Sequence, residues 1–275
     1  MIDKVTEAKR KAKETYDSAA DHFDQTALGF WAKYGRSTVE RLSLRPGSKV
    51  LDVCCGSGAS AIPAASIVGC GGRVIGIDLS EQMLSLAKNK AHELNLCNID
   101  FKTGDMSQLN YDDESFDAVV CVFGIFFMPN MENQIAELWR MVKPSGKLAI
   151  TTWGKDFFEP AYGNWKEILK SIRPDLYSAF VPWDRISQTE SLRKLMQDGG
   201  ASNIEVVPEF GEQSLSCTED WWTIALGSGL RWTIDQLDED QISRVKETNL
   251  SWIEQNNVTA VGTSVIYAVA EKQSS

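Results

Sequence analysis

Long apolar runs are missing from this chain: no stretch of about 18 apolar residues occurs, so no bilayer-spanning helix and no stable membrane insertion are expected. The first sixteen residues, MIDKVTEAKRKAKETY, are charged and lack the apolar segment of a secretory signal, which predicts a cytoplasmic protein. Positive charge is also short. Lys and Arg number 28 against 38 Asp and Glu, a net charge of −10, which opposes broad contact with a phosphate backbone and argues against a nucleic-acid partner. Histidine is scarce, with His22 and His92 alone, and none of the six cysteines stands in a CxxC pair or a Cys/His cluster. No metal site is therefore expected, and the cysteines read as reduced thiols. Repeats, low-complexity tracts and linkers are absent, which favours one domain over residues 1–275 whose partner is a small molecule.

What is present is organised around Lys49-Val-Leu-Asp-Val-Cys-Cys-Gly-Ser-Gly-Ala-Ser60. Val50, Leu51 and Val53 suit a buried parallel strand, and Gly56 and Gly58 permit the close backbone approach of a strand-to-helix turn. Such a turn can hold a nucleotide-like ligand, but NAD, FAD, phosphate and S-adenosylmethionine sites share it.

Residues 1–47 read as helical. Val5, Ala8, Ala12, Tyr16, Ala19 and Phe23 form one face of a helix over 4–26, and a second helix spans Phe30 to Leu44. Residues 48–153 alternate strands at 48–54, 73–78, 99–103, 116–123 and 146–152 with helices near 59–68, 80–95 and 129–142. Ser80 is placed to cap the second of these, and Lys143-Pro-Ser-Gly146 to stop the third. Residues 154–275 carry helices at 156–172 and 189–199, strands at 204–210 and 265–270, and between those strands about fifty residues with helices at 218–227 and 238–254. The fold class is α/β: a doubly wound, mostly parallel seven-stranded sheet with N-terminal helices and a helical insert before the last strand, the insert forming a lid or substrate wall.

Asp78 closes the second strand twenty residues beyond Gly58, where a carboxylate can accept both hydroxyls of a ribose, in NAD as in S-adenosylmethionine. The ordered set of motifs separates the two. VLDVCCGSG resembles motif I of the class I S-adenosylmethionine-dependent methyltransferases, a VLDxGxGxG pattern that Val50, Leu51, Asp52, Gly56 and Gly58 match, with Cys54 in the place of the first glycine. IGIDLS, residues 75–80, Gly104-Asp105-Met106, FDAVVCVFGIFF, residues 116–127, and LWRMVKPSGKLAITTW, residues 138–153, resemble the following motifs in family order. The chain is most similar in flavour to the ubiquinone and menaquinone methyltransferase branch.

The resemblance implies a Rossmann-like methyltransferase fold, S-adenosylmethionine as cofactor, and cofactor contacts from Tyr16, Asp52, Cys54, Gly56, Ser57, Gly58, Asp78, Leu79, Met83, Gly104, Asp105, Met106, Cys121 and Phe123. Asp78 takes the ribose place and Asp105 the adenine place. Asp52 either touches the ligand or orients the glycine loop; Leu79 and Met106 either flank the adenine or fill core; Tyr16 either meets the donor or packs. The expected activity is in-line methyl transfer to a small acceptor that is apolar, aromatic or amine-bearing. Trp31, Phe126, Phe127, Trp221 and Trp222 are candidates for the acceptor wall, among aromatics that include Phe30, Tyr34, Phe157, Phe158, Tyr162, Trp165 and Trp183. No catalytic residue is evident; His22 is a weak candidate base, with a cap or surface role the favoured reading. A non-catalytic S-adenosylmethionine-binding protein and an NAD-linked oxidoreductase stand as alternatives, the latter without an SxxxYxxxK or His/Asp signature.

Overall fold

The computed structural model describes residues 4–177 and 181–274. Helix α1 runs Lys4–Ala19 and α2 runs Phe30–Leu42. The expected helix to residue 26 ends early because three aspartates crowd its C-terminal side, where no basic residue offsets the helix dipole. The chain bends instead, and Asp24 meets Lys90 Nζ at 2.8 Å and Ser57 Oγ at 3.0 Å. Val5, expected on the apolar face of α1, has its side chain outside the described residues.

The alternating core follows as β1 (Lys49–Val53), α3 (Ala61–Val68), β2 (Arg73–Asp78), α4 (Glu81–Glu93), β3 (Ile99–Thr103), β4 (Phe116–Val122), α5 (Met131–Arg140) and β5 (Val142–Trp153). Apolar runs make β1, β2 and β4, which are buried between helices on both faces, whereas the edge strand β3 is half-buried to exposed. Val50, Val74, Ala118 and Val120 pack with Val39, Leu42 and the alanines of α3, while Leu51, Ile77, Val119 and Ile150 face the larger aromatic side of the core. Lys143-Pro-Ser-Gly146 does not stop α5, which ends at Arg140 ahead of it. It bulges within β5, whose pairing with β4 jumps from Val142 opposite Phe116 to Lys147 opposite Ala118.

Beyond the core come α6 (Ala161–Ile172), α7 (Thr189–Asp198), β6 (Ile204–Glu209), β7 (Glu212–Ser214), α8 (Glu219–Leu226), α9 (Arg231–Ile234), α10 (Glu239–Gln255), β8 (Ala260–Gly262) and β9 (Val265–Glu271). The seven-stranded sheet has the order β3-β2-β1-β4-β5-β9-β6, with β9 antiparallel to both neighbours, as the expected fold class requires. The β7–β8 ribbon and α9 lie in the stretch that carried only two expected helices; three-residue strands and a four-residue helix are too short to show a period. The order reverses between β1 and β4, so a crevice opens at the carboxyl ends of these strands.

Candidate active site

Two adjoining cavities occupy that crevice. The first, with about 980 Å³ of open space, is walled by the β1 turn, the ends of β2 and β4, the loop after β3, and α1 laid across the top. Tyr16, Cys54, Gly56, Ser57, Asp78, Leu79, Met83, Gly104, Asp105, Met106 and Phe123 line it, as does Trp31. The geometry thus gathers residues spread from 16 to 123 around one space.

Asp78 is tied at both oxygens. Oδ2 accepts the Gly56 N–H at 2.8 Å and Oδ1 the Ser80 N–H at 2.9 Å, so the carboxylate joins the glycine turn to the N-terminus of α4. Burial raises its pKa, and these backbone hydrogen bonds pull the other way. Gly56 has φ +50° with no atom within 4 Å of where a side chain would start, leaving the backbone open to the cavity. Cys54 adopts φ +58°, the left-handed region that a glycine enters more easily, which accounts for the glycine of the motif pattern at this place.

Lys9 reaches from α1 to Asp105 Oδ2 and Ser107 Oγ, both at 2.6 Å, and fastens the helix over the cavity. Burial pushes the Asp105 carboxyl up, yet the hydrogen bonds from Lys9 and Ser107 prevail and hold it below its ordinary value. Ser80 Oγ donates to Asp17 Oδ1 at 2.6 Å, a second tie between α1 and the β2 end. Neither tie was evident from sequence, since each joins residues more than sixty positions apart.

Asp52, Gly58 and Cys121 lie outside the cavity wall. The side chain of Asp52 is buried and accepts Ser60 Oγ at 2.6 Å through Oδ2, bracing the turn from beneath, while Oδ1 has no partner. Gly58 leaves room for α3: a Cβ there would stand 2.9 Å from Ile62 Cδ1. Cys121 sits under the turn, its sulfur 2.8 Å from where a Cβ on Gly124 would be.

Burial raises the Asp52 pKa to about 7, the Ser60 hydrogen bond lowering it and the Asp78 charge adding to the rise. The folded state therefore keeps a proton on Asp52 between about pH 4 and 7 that the unfolded chain has lost, so stability falls as pH rises through that window. Asp52→Asn copies the protonated form. Its stability relative to the parent is expected to increase from pH 4 to 7 by about 1–3 kcal/mol and to level off above, read by urea melts at pH 5 and 8.

The second cavity, with about 1720 Å³ of open space, lies between α1, the segment after β4, α6 and α9. Phe126, Phe127, Phe157, Tyr162, Trp165 and Trp183 line it. Ala12, Tyr16, Phe127 and Met128 belong to both walls. Tyr16 packs edge-on against Phe127, with centroids 5.8 Å apart; burial, with Asp78 and Cys54 nearby, pushes its phenol pKa up and keeps it a hydrogen-bond donor.

Other expected wall residues are core. Trp221 is fully buried, with its indole N–H on Asn249 Oδ1, and Asn249 Nδ2 in turn donates to Asn164 Oδ1 at 2.7 Å. Trp222, Phe30, Tyr34 and Phe158 also pack away from both spaces. His22 lines neither cavity: the chain has already left the helix at Ala19, and its Nδ1 contacts Asp21 Oδ1 at 2.6 Å. Met128, Tyr177 and Trp232 complete the second cavity without having been singled out from sequence.

The ubiE/COQ5 methyltransferase family model matches residues 3–181, about two-thirds of the chain. The chain belongs to this family. It is an enzyme, and S-adenosylmethionine is the cofactor of this methyltransferase. It is 28% identical over 230 residues to a demethylmenaquinone methyltransferase of Listeria welshimeri, covering 76% of this chain and 96% of the relative. In fold it resembles the YcgJ protein of Bacillus subtilis, with TM-score 0.58, 15% identity and coverage of 88% of this chain and all of that one. It likewise resembles a SAM-dependent methyltransferase of Aquifex aeolicus, with TM-score 0.52, 21% identity and coverage of 70% and 89%. Among the described residues of the methyltransferase, no helix is long and apolar enough to cross a membrane.

Proposed function

We propose that the first cavity holds S-adenosylmethionine, the second holds an aromatic acceptor of the quinol class, and a methyl group passes to a ring carbon where the two meet. The shared wall of Ala12, Tyr16, Phe127 and Met128 supports this reading, because the two cavities meet there beside one phenol. The residues present fit the cofactor. The open backbone at Gly56 admits close approach, the fixed Asp78 carboxylate suits a vicinal diol, and Leu79, Gly104 and Met106 offer a slot beside Asp105 for a flat ring. When bound, the cofactor supplies a methyl carbon made electrophilic by its sulfonium.

The remaining work falls to the chain. Lys9 and Asp17 hold α1 in place and so exclude water from the junction. The aromatic wall of the second cavity orients a flat acceptor by stacking and edge contacts. Among the described residues no aspartate, glutamate or histidine lines this cavity, so the ring proton displaced by the methyl group leaves to solvent rather than to a lining base. The same composition disfavours an amine-bearing acceptor, whose cation would meet Lys11, Lys166 and Arg185. The quinol class is taken from the Listeria welshimeri relative, a demethylmenaquinone methyltransferase.

The test supplies S-adenosylmethionine with a reduced naphthoquinone lacking its ring methyl group. Matched release of S-adenosylhomocysteine and C-methylated product is expected. Turnover with phenols or amines alone, giving O- or N-methyl products, contradicts the reading.

A further inference from the structure

The second cavity is positive in a negative protein. Acids outnumber bases 38 to 28 in the chain, yet this wall carries Lys11, Lys166 and Arg185 and, among the described residues, no acid. Two of the three cations already have acidic neighbours: Lys166 Nζ stands 3.8 Å from Glu159 and Arg185 donates to Glu132 at 3.0 Å.

Lys11 differs. No acid among the described residues lies within ion-pair distance of its ammonium, and Glu7, one helical turn away, is engaged by Arg10 through both oxygens. The Lys11 ammonium instead lies 3.5 Å from the centroid of the Trp232 ring, itself a wall residue. A ring face steadies a cation without neutralising it. The Lys11 charge is therefore not matched by an acid where a flat ligand would lie.

We propose that Lys11 anchors an ionised oxygen, carboxylate or phenolate, carried by the aromatic acceptor, so that the cavity selects aromatic anions over neutral rings of the same shape. The inference rests on the second cavity being the acceptor site. An ammonium placed against an aromatic wall can meet an oxyanion on a stacked ring with a charge-assisted hydrogen bond, and in a partly desolvated space that bond is stronger than one on open surface. An acceptor bound as its phenolate also brings raised electron density to the ring carbon that attacks the methyl group; as the carbon–methyl bond forms the carbon–sulfur bond breaks, and the ring proton then leaves to solvent to restore the aromatic ring.

Calorimetric titrations of the whole protein, saturated with S-adenosylhomocysteine, use 2-naphthoate, a nitronaphtholate and neutral 2-naphthylmethanol, each against the parent, Lys11→Met and Lys11→Arg. The parent is expected to bind at least one anion about tenfold more tightly than the neutral ring. The naphthoate and naphtholate arms tell carboxylate from phenolate. Lys11→Met should abolish the preference, and Lys11→Arg should restore it. Equal binding of anions and neutral ring by the parent, or a preference that survives in Lys11→Met, overturns the role of Lys11 and leaves the acceptor cavity standing. Failure of all three probes to bind, with S-adenosylhomocysteine bound normally, overturns the acceptor cavity itself and the inference with it.

Discussion

Asp78→Ala is expected to raise the dissociation constant for S-adenosylmethionine by about a hundredfold, measured by calorimetry on protein whose fold is checked by circular dichroism. The carboxylate has two duties in the proposed site. It accepts the Gly56 and Ser80 amides at 2.8 and 2.9 Å, and its outer lone pairs remain for a ribose diol. Truncation removes the diol's acceptor and leaves two amide donors unmatched, one of them in the turn against which the ligand would lie. Two charge-assisted hydrogen bonds at about 1.5 kcal/mol each give a loss of this size. Asp78→Asn keeps one acceptor oxygen but sets an NH2 group against a backbone N–H, so an intermediate loss of about tenfold is expected. Unchanged affinity in both variants removes Asp78 from the ligand site.

Asp78 is legible in the sequence because local chemistry dictates its place. A run as apolar as Val74-Ile-Gly-Ile77 becomes a strand covered on both faces, and the acid that ends it must stand at the carboxyl edge of the sheet. The strands β1 to β5, the capping role of Ser80 and the glycine turn follow from the same short-range rules. Ser80 Oγ does accept the Met83 N–H, at 3.1 Å. What escaped was set by contacts far apart in sequence. The end of α1 depends on Asp24 meeting Lys90, and once the helix stops at Ala19, His22 turns away from the cavity near which helical spacing had placed it. Trp221 and Trp222 were attractive as wall residues because large aromatics concentrate at binding surfaces, but aromatic composition carries no direction. The Trp221 indole is committed to Asn249, and that partnership is invisible until α6, α8 and α10 are packed together. The second cavity was only partly readable for the same reason: its aromatics come from α6, the segment after β4 and the turn at Trp183, with α9 closing one side.

The other large effect is expected from one methyl group. Gly35 lies within α2, where an alanine ordinarily stabilises a helix by about 1 kcal/mol. Here the sign should reverse. A Cβ on Gly35 would stand 2.4 Å from the carbonyl oxygen of Ala59 and 2.5 Å from its carbonyl carbon, so α2 rests directly on the backbone of the glycine turn. Backbone cannot swing aside as a side-chain tip can, and relief requires moving the helix or the turn. Gly35→Ala is expected to destabilise the protein by about 2–4 kcal/mol in urea melts. Arg36→Ala, exposed on the same helix, should stay within about 0.5 kcal/mol of the parent. Because Ala59 belongs to the wall of the first cavity, a displaced turn should also weaken cofactor binding in the fraction that remains folded. That coupling separates the two ways in which α2 could pack. A Gly35→Ala protein that gains stability and keeps its cofactor affinity places α2 off the turn; one that loses both shows that this close backbone contact holds the turn in its binding shape.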